Sequence, residues 1–218
     1  MFTGPIIPSV LICILPLLAV FACMLILVKE FKFLSGVFSI LLGLFAVVPI
    51  AAIQFTIDYY HLVSANSLSQ VLLKSLLING VVEETIKMLL LFTLSKKHNL
   101  SSFFACALLS GLALGCFESL VYLVSGIQNI GLRMLTAVVI HTTCAGLSGL
   151  FVYSIKNEST KVLSFVLAVL LHGIYNYFAG FKMDSFFFWF SLVVVLVALV
   201  ECRIRYRALV PEGLILFQ

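Results

Sequence analysis

The chain has 218 residues, of which 63% are hydrophobic and only 10% charged, and its mean hydropathy is +1.23. A soluble domain is about 25% charged, and this much apolar surface could not be hidden in one small core, so an ordinary soluble domain is excluded and lipid is the natural solvent. The net charge of +4 arises from basic residues scattered in ones and twos between apolar runs, which excludes a nucleic-acid surface and assigns the charge to membrane topology.

Apolar runs long enough to cross a bilayer fall at about seven places: 6–28, 34–57, 68–94, 101–125, 131–155, 162–180 and 184–201. The first has no basic residue before it and is too long for a signal-peptide core, so it reads as a retained span. Connections are short, and neighbouring helices should run antiparallel. Lys29, Lys32, Lys96, Lys97, Lys156, Lys161, Arg203, Arg205 and Arg207 then share one side, which the positive-inside rule makes the cytoplasm. Arg133 and Lys182 fall on the other side with Asp58 and Asp184. The expectation is an all-α, polytopic transmembrane helix bundle with its N-terminus outside and its C-terminus cytoplasmic. Residues 1–201 form a single domain, with a motif-bearing core over 68–180, and 202–218 form a short basic interfacial tail. The six cysteines show no CxxC pair and read as small buried hydrophobes.

The third run contains "NGVVEETIKMLLLF", residues 79–92. Ionisable side chains inside spans are Glu83, Glu84, Lys87, Glu118, His141 and His172. Each costs roughly 2.5–3.5 kcal/mol at the centre of a bilayer, which marks them as functional rather than decorative. At about 1.5 Å per residue, Glu83 lies about 22 Å into its helix, Glu118 about 25 Å, and His141 and His172 about 15 Å into theirs. Four helices therefore bring polar groups to one central layer. Adjacent glutamates point about 100° apart, so one of Glu83 and Glu84 should face the site while the other bonds Lys87 or a neighbouring helix. Gly111, Gly115, Glu118 and Tyr122 share a stripe, and the glycines permit close approach of another helix. His172 and Asn176 are i,i+4 on the sixth span.

A buried glutamate beside a lysine can act as general base on water, while imidazoles and an amide stabilise an oxyanion. That chemistry fits a hydrolase; a proton-coupled transporter or a non-catalytic membrane scaffold would use similar groups. No HExxH motif is present, but His141, His172 and Glu118 provide ligands enough for a divalent metal such as zinc. "GLSG", residues 146–149, resembles the GxSG motif of rhomboid proteases, with Ser148 as nucleophile and His172 as partner; Gly146, Ser148 and Gly149 also read as a small-residue packing face.

"EETIK" (Glu83, Glu84, Lys87), "FESLVY" (Phe117, Glu118, Tyr122), His141 on the following helix and "HGIYN" (His172, Asn176) together resemble the ordered motifs of the PrsW family of intramembrane proteases. The family is distantly related to CAAX-type prenyl-protein proteases and to the scaffold subunit of gamma-secretase. The CAAX pattern fits less well, because Lys87 comes one position before the arginine expected there. The resemblance implies a multi-pass peptidase, in a bacterial cytoplasmic membrane, that cuts membrane-anchored proteins such as anti-sigma factors. Carried onto this sequence, Glu83 or Glu84 would activate water. His141 and His172 would polarise the carbonyl or bind a metal. Asn176 would complete the oxyanion site, and Glu118 would orient a histidine or serve as a second acid or base. Lys87, Phe117, Tyr122 and Arg133 would support them. Glutamate-type chemistry is expected ahead of a metal-dependent version, and no cofactor is assigned.

Overall fold

The computed structural model describes residues 6–63, 66–126 and 129–210. The described residues are helical and contain no strand: α1 (Ile6–Leu27), α2 (Phe33–Tyr59), α3 (Leu68–Lys74), a π-helix (Ser75–Val82), α4 (Glu83–Leu91), α5 (Leu100–Val124), α6 (Ile130–Leu135), α7 (Ala137–Lys156), α8 (Val162–Ala179) and α9 (Phe186–Arg207). This is a polytopic membrane bundle. Among the described residues, six helices are long and apolar enough to cross a membrane. The expected span at 68–94 is the exception: it is helical from Leu68 to Leu91 but divided by the π-helix. The sequence gives only hydropathy there, and hydropathy does not register a change from i→i+4 to i→i+5 bonding. α9 continues through Arg203, Arg205 and Arg207, so these arginines lie on its last turns; residues 211–218 of the expected tail lie outside the described residues.

α5 and α7 form the centre and are buried along most of their length, whereas α1 is covered on little of its surface. Small residues set the α5–α7 distance. A Cβ on Gly111 would stand 2.4 Å from the His141 carbonyl oxygen and 2.5 Å from the Ala145 Cβ, so only glycine allows this crossing. A second close contact joins the π-helix to α8, where a Cβ on Gly80 would meet the Val169 carbonyl oxygen at 2.6 Å. The two contacts bring α4, α5, α7 and α8 together around the polar layer.

Helix ends are closed locally. Asn99 caps α5 by accepting from the Ser102 N–H (2.8 Å), and Ser67 caps α3 by accepting from Gln70 (3.3 Å). Lys156 Nζ donates to the carbonyls of Phe92 and Leu94 at 2.7 and 2.5 Å, binding the end of α4 to that of α7. Asn99 also donates to Glu30 (2.9 Å), and Ser101 bonds Tyr206 (2.8 Å). These contacts gather several of the Lys- and Arg-bearing connections at one end of the bundle. The six cysteines are free thiols and all but Cys23 are buried.

Because Gly111 fixes the spacing between α5 and α7, Gly111→Val should overpack this contact at a cost of about 1–3 kcal/mol. The expected outcome is a lowered thermal midpoint in detergent, with Gly131→Val, where a Cβ meets open space, unchanged.

Candidate active site

Glu83 is the first residue of α4, directly after the π-helix, and it is 5% exposed. Its Oε1 accepts from Gln54 Nε2 of α2 (2.8 Å) and from Asn79 Nδ2 of the π-helix (3.1 Å). Its Oε2 is left facing His172 Nε2 at 3.8 Å. Glu84 turns the other way and is sealed from solvent. Its Oε1 pairs with Lys87 Nζ and with His172 Nδ1 (2.7 Å), and its Oε2 accepts from Ser148 Oγ (3.0 Å). With three partners and no exposure to solvent, Glu84 is poorly placed to take up a reacting water.

His141 repeats the arrangement from α7. Its Nε2 bonds Glu118 Oε2 of α5 at 2.6 Å, and the two imidazole rings stand edge to face with centroids 4.8 Å apart. Each histidine is thus held from one side by a carboxylate. The other nitrogens, His141 Nδ1 and His172 Nε2, are buried without a hydrogen-bond partner. One ligand atom each from Glu83, His141 and His172 lie within 4.8 Å of one another. Two imidazole nitrogens and a carboxylate oxygen form a donor set suited to zinc or a similar divalent ion, and a carboxylate on the back nitrogen is the usual way such ligands are oriented. Each ring keeps an unpartnered buried nitrogen, and that of His172 faces Glu83 Oε2; a cation would satisfy such groups, so the residues fit a metal. The sequence grouped Glu118 with the two histidines as candidate ligands; in the structure Glu83 joins them, and Glu118 stands behind His141.

The remaining candidates surround this cluster. Asn176 lies one turn after His172 and donates to its carbonyl at 3.2 Å. The Arg133 guanidinium lies 3.7 Å from the centre of the Tyr122 ring and 3.5 Å from Glu118 Oε2. Phe117 is 38% exposed and lines none of the described cavities next to Glu118. Two clefts reach the cluster. One, about 210 Å³, contains Gln54, Glu83, Glu118 and Tyr122. The other, about 260 Å³, contains Glu118, Tyr122, Arg133, His141 and Asn176.

A family model described as PrsW family intramembrane metalloprotease matches residues 33–200. The chain belongs to this family. It is therefore an integral multi-pass membrane protein and an intramembrane protease. Searches of curated proteins and of solved structures returned no match. Membership in the PrsW family accounts for the order of the motifs, and in the structure one motif from each of four helical segments contributes to a single polar cluster.

Two residues of that cluster escape sequence reasoning. Gln54 is an isolated amide in an apolar helix, and Asn79 sits one turn before Glu83; the i,i+4 spacing of Asn79 and Glu83 was the available signal. Ser148, the rhomboid-like candidate, donates to Glu84 and does not bond His172, so no serine–histidine pair forms.

The Glu84–Lys87 pair is buried on both sides, at 0% and 2% side-chain exposure. Lys87→Met should therefore destabilise the fold by about 3–5 kcal/mol, since it leaves a buried carboxylate without its cation. Adding Glu84→Gln should recover part of the loss; equal midpoints for wild type and Lys87→Met in detergent unfolding would contradict this.

Proposed function

We propose that this protease is an endopeptidase acting on membrane-anchored proteins, of the single-span class to which anti-sigma factors belong, and that Glu83, His141 and His172 hold a divalent metal at its centre. The observation that carries the reading is the pair of buried imidazoles, each fixed by a carboxylate on one nitrogen and left unpartnered on the other, with a ligand atom of each close to a third carboxylate, Glu83. Zinc or a similar ion held there would supply Lewis acidity, making a water nucleophilic near neutral pH and polarising a carbonyl.

The chain's own groups perform the rest. Gln54 and Asn79 occupy one oxygen of Glu83 and thereby fix the direction of the other. Glu84, anchored by Lys87 and Ser148, sets the tautomer and rotation of His172, and Glu118 does the same for His141. Glu118 is also partly open to both clefts, at 34% side-chain exposure, so it can accept a proton from the attacking water and return it to the departing amine. Asn176, beside His141 in the second cleft, is available to donate to the developing oxyanion. The basic end of the bundle faces the cytoplasm in this reading, as the positive-inside rule directs.

A second reading uses the same cluster without a metal: Glu83 is itself the base on water, with His141, His172 and Asn176 stabilising the oxyanion. It is favoured by the oxygen of Glu83 that its amide donors leave free, 3.8 Å from His172 Nε2, on a carboxylate that lines the first cleft.

The two readings part on chelation. Purified protein should cut a single-span reporter in liposomes, lose activity on treatment with a strong chelator, and regain it with zinc. Glu83→Ala, His141→Ala and His172→Ala should each lower cleavage by more than about a hundredfold, and Glu118→Gln should weaken metal affinity roughly 10–100-fold. Undiminished cleavage after chelation, with Glu83 still required, would favour the metal-free reading. Undiminished cleavage by all three alanine variants would remove both.

A further inference from the structure

The two clefts that meet at Glu118 and Tyr122 differ in character. The first is walled by Val47, Ile50 and Ala51 of α2 and by Leu114 and Val121 of α5. Its surroundings are apolar and exposed, with Val48 at 65%, Phe55 at 70% and Val121 at 47%, so its mouth opens on the lipid-facing side of the bundle. The second is lined by Arg133, His141, Tyr175 and Asn176 and extends to Gly180, just past the end of α8, so it opens toward the end of the bundle and is mostly polar. Tyr122, covered by the Arg133 guanidinium, stands between them.

We infer that the lipid-side cleft between α2 and α5 is the substrate-binding site, that its occupant is an unwound stretch of a substrate's transmembrane segment, and that water reaches the same centre through the polar cleft. This rests on the peptidase reading above and adds the route and the subsite. The polar groups within the apolar cleft distinguish a polypeptide from a lipid tail. Gln54 spends an amide N–H on Glu83, and its carbonyl oxygen has no partner among the described residues. The Tyr122 hydroxyl likewise has none there. An acyl chain offers such groups nothing. An extended peptide offers backbone N–H and C=O groups that must find partners once its helix is opened in lipid. Its apolar side chains would contact Val47, Ile50 and Val121 while its backbone meets Gln54 and Tyr122. Because Gln54 also holds Glu83, the residue that receives the backbone is the one that fixes the central carboxylate. Val47, Ile50, Ala51 and Val121 would then be the residues that determine sequence preference.

The test uses the full chain in liposomes with a synthetic single-span peptide whose Leu-rich span carries a central Gly-Ser break. A photo-crosslinking residue is placed at Ala51 or, on the polar cleft, at Ala179, each in a Glu83→Gln background that retains bound peptide. Capture from position 51 well above that from position 179 is the expected result. Capture from 179 alone, from neither position, or of lipid alone at 51 would overturn the proposal. In parallel, Ala51→Trp should lower cleavage at least tenfold with an unchanged thermal midpoint; cleavage at the wild-type rate would also overturn it. If position 51 captures the peptide but wild-type protein cuts nothing, the binding site stands and the peptidase reading fails.

Discussion

The structure depends on two carboxylate–imidazole hydrogen bonds inside the bundle, Glu84 to His172, sealed from solvent, and Glu118 to His141, at the meeting of the two clefts. In a low-dielectric interior such bonds are strong when complete and costly when broken. Each requires two helices at a fixed separation: α4 with α8 for one, α5 with α7 for the other. The glycine contacts at Gly111 and Gly80 provide those separations, and Lys87 makes the charge on Glu84 tolerable. Packing, charge pairing and site geometry are therefore one constraint, not three.

That constraint also explains how neighbouring glutamates acquire different tasks. Glu84 is committed to structure, sealed from solvent and held by Lys87, His172 and Ser148. Glu83 is held by amides on one oxygen only and keeps the other facing His172. The π-helix that ends at Val82 lies immediately before this pair and carries Asn79. π-Helical turns are uncommon and concentrate at functional sites, where they rotate the residues that follow.

Much of this was legible in the sequence. Hydropathy marked the membrane helices, and mid-span charge marked Glu83, Glu84, Glu118, His141 and His172. Helical periodicity separated the two glutamates. What it does not contain is rotation about each helix axis and the partner chosen across a helix–helix interface. Lys87 was within reach of both glutamates by spacing, and the structure pairs it with Glu84. Glu118 carried as good a claim as Glu83 to a place beside both histidines, and only the packed bundle separates the carboxylate before them from the one behind. The expectation of glutamate-type chemistry rested on a glutamate beside a lysine and on spacing without a metal signature; the two unpartnered imidazole nitrogens, which a cation could satisfy, exist only in three dimensions. Gln54 could not be singled out, because nothing local distinguishes an amide that holds a carboxylate from one that merely packs.

The most direct test of the account is zinc-edge X-ray absorption on active, purified protein in detergent. The account predicts one zinc per chain with two imidazole nitrogens, oxygen in the remaining positions and no sulfur. A fully active preparation without metal, or a sulfur ligand from the nearby buried Cys144, would contradict it.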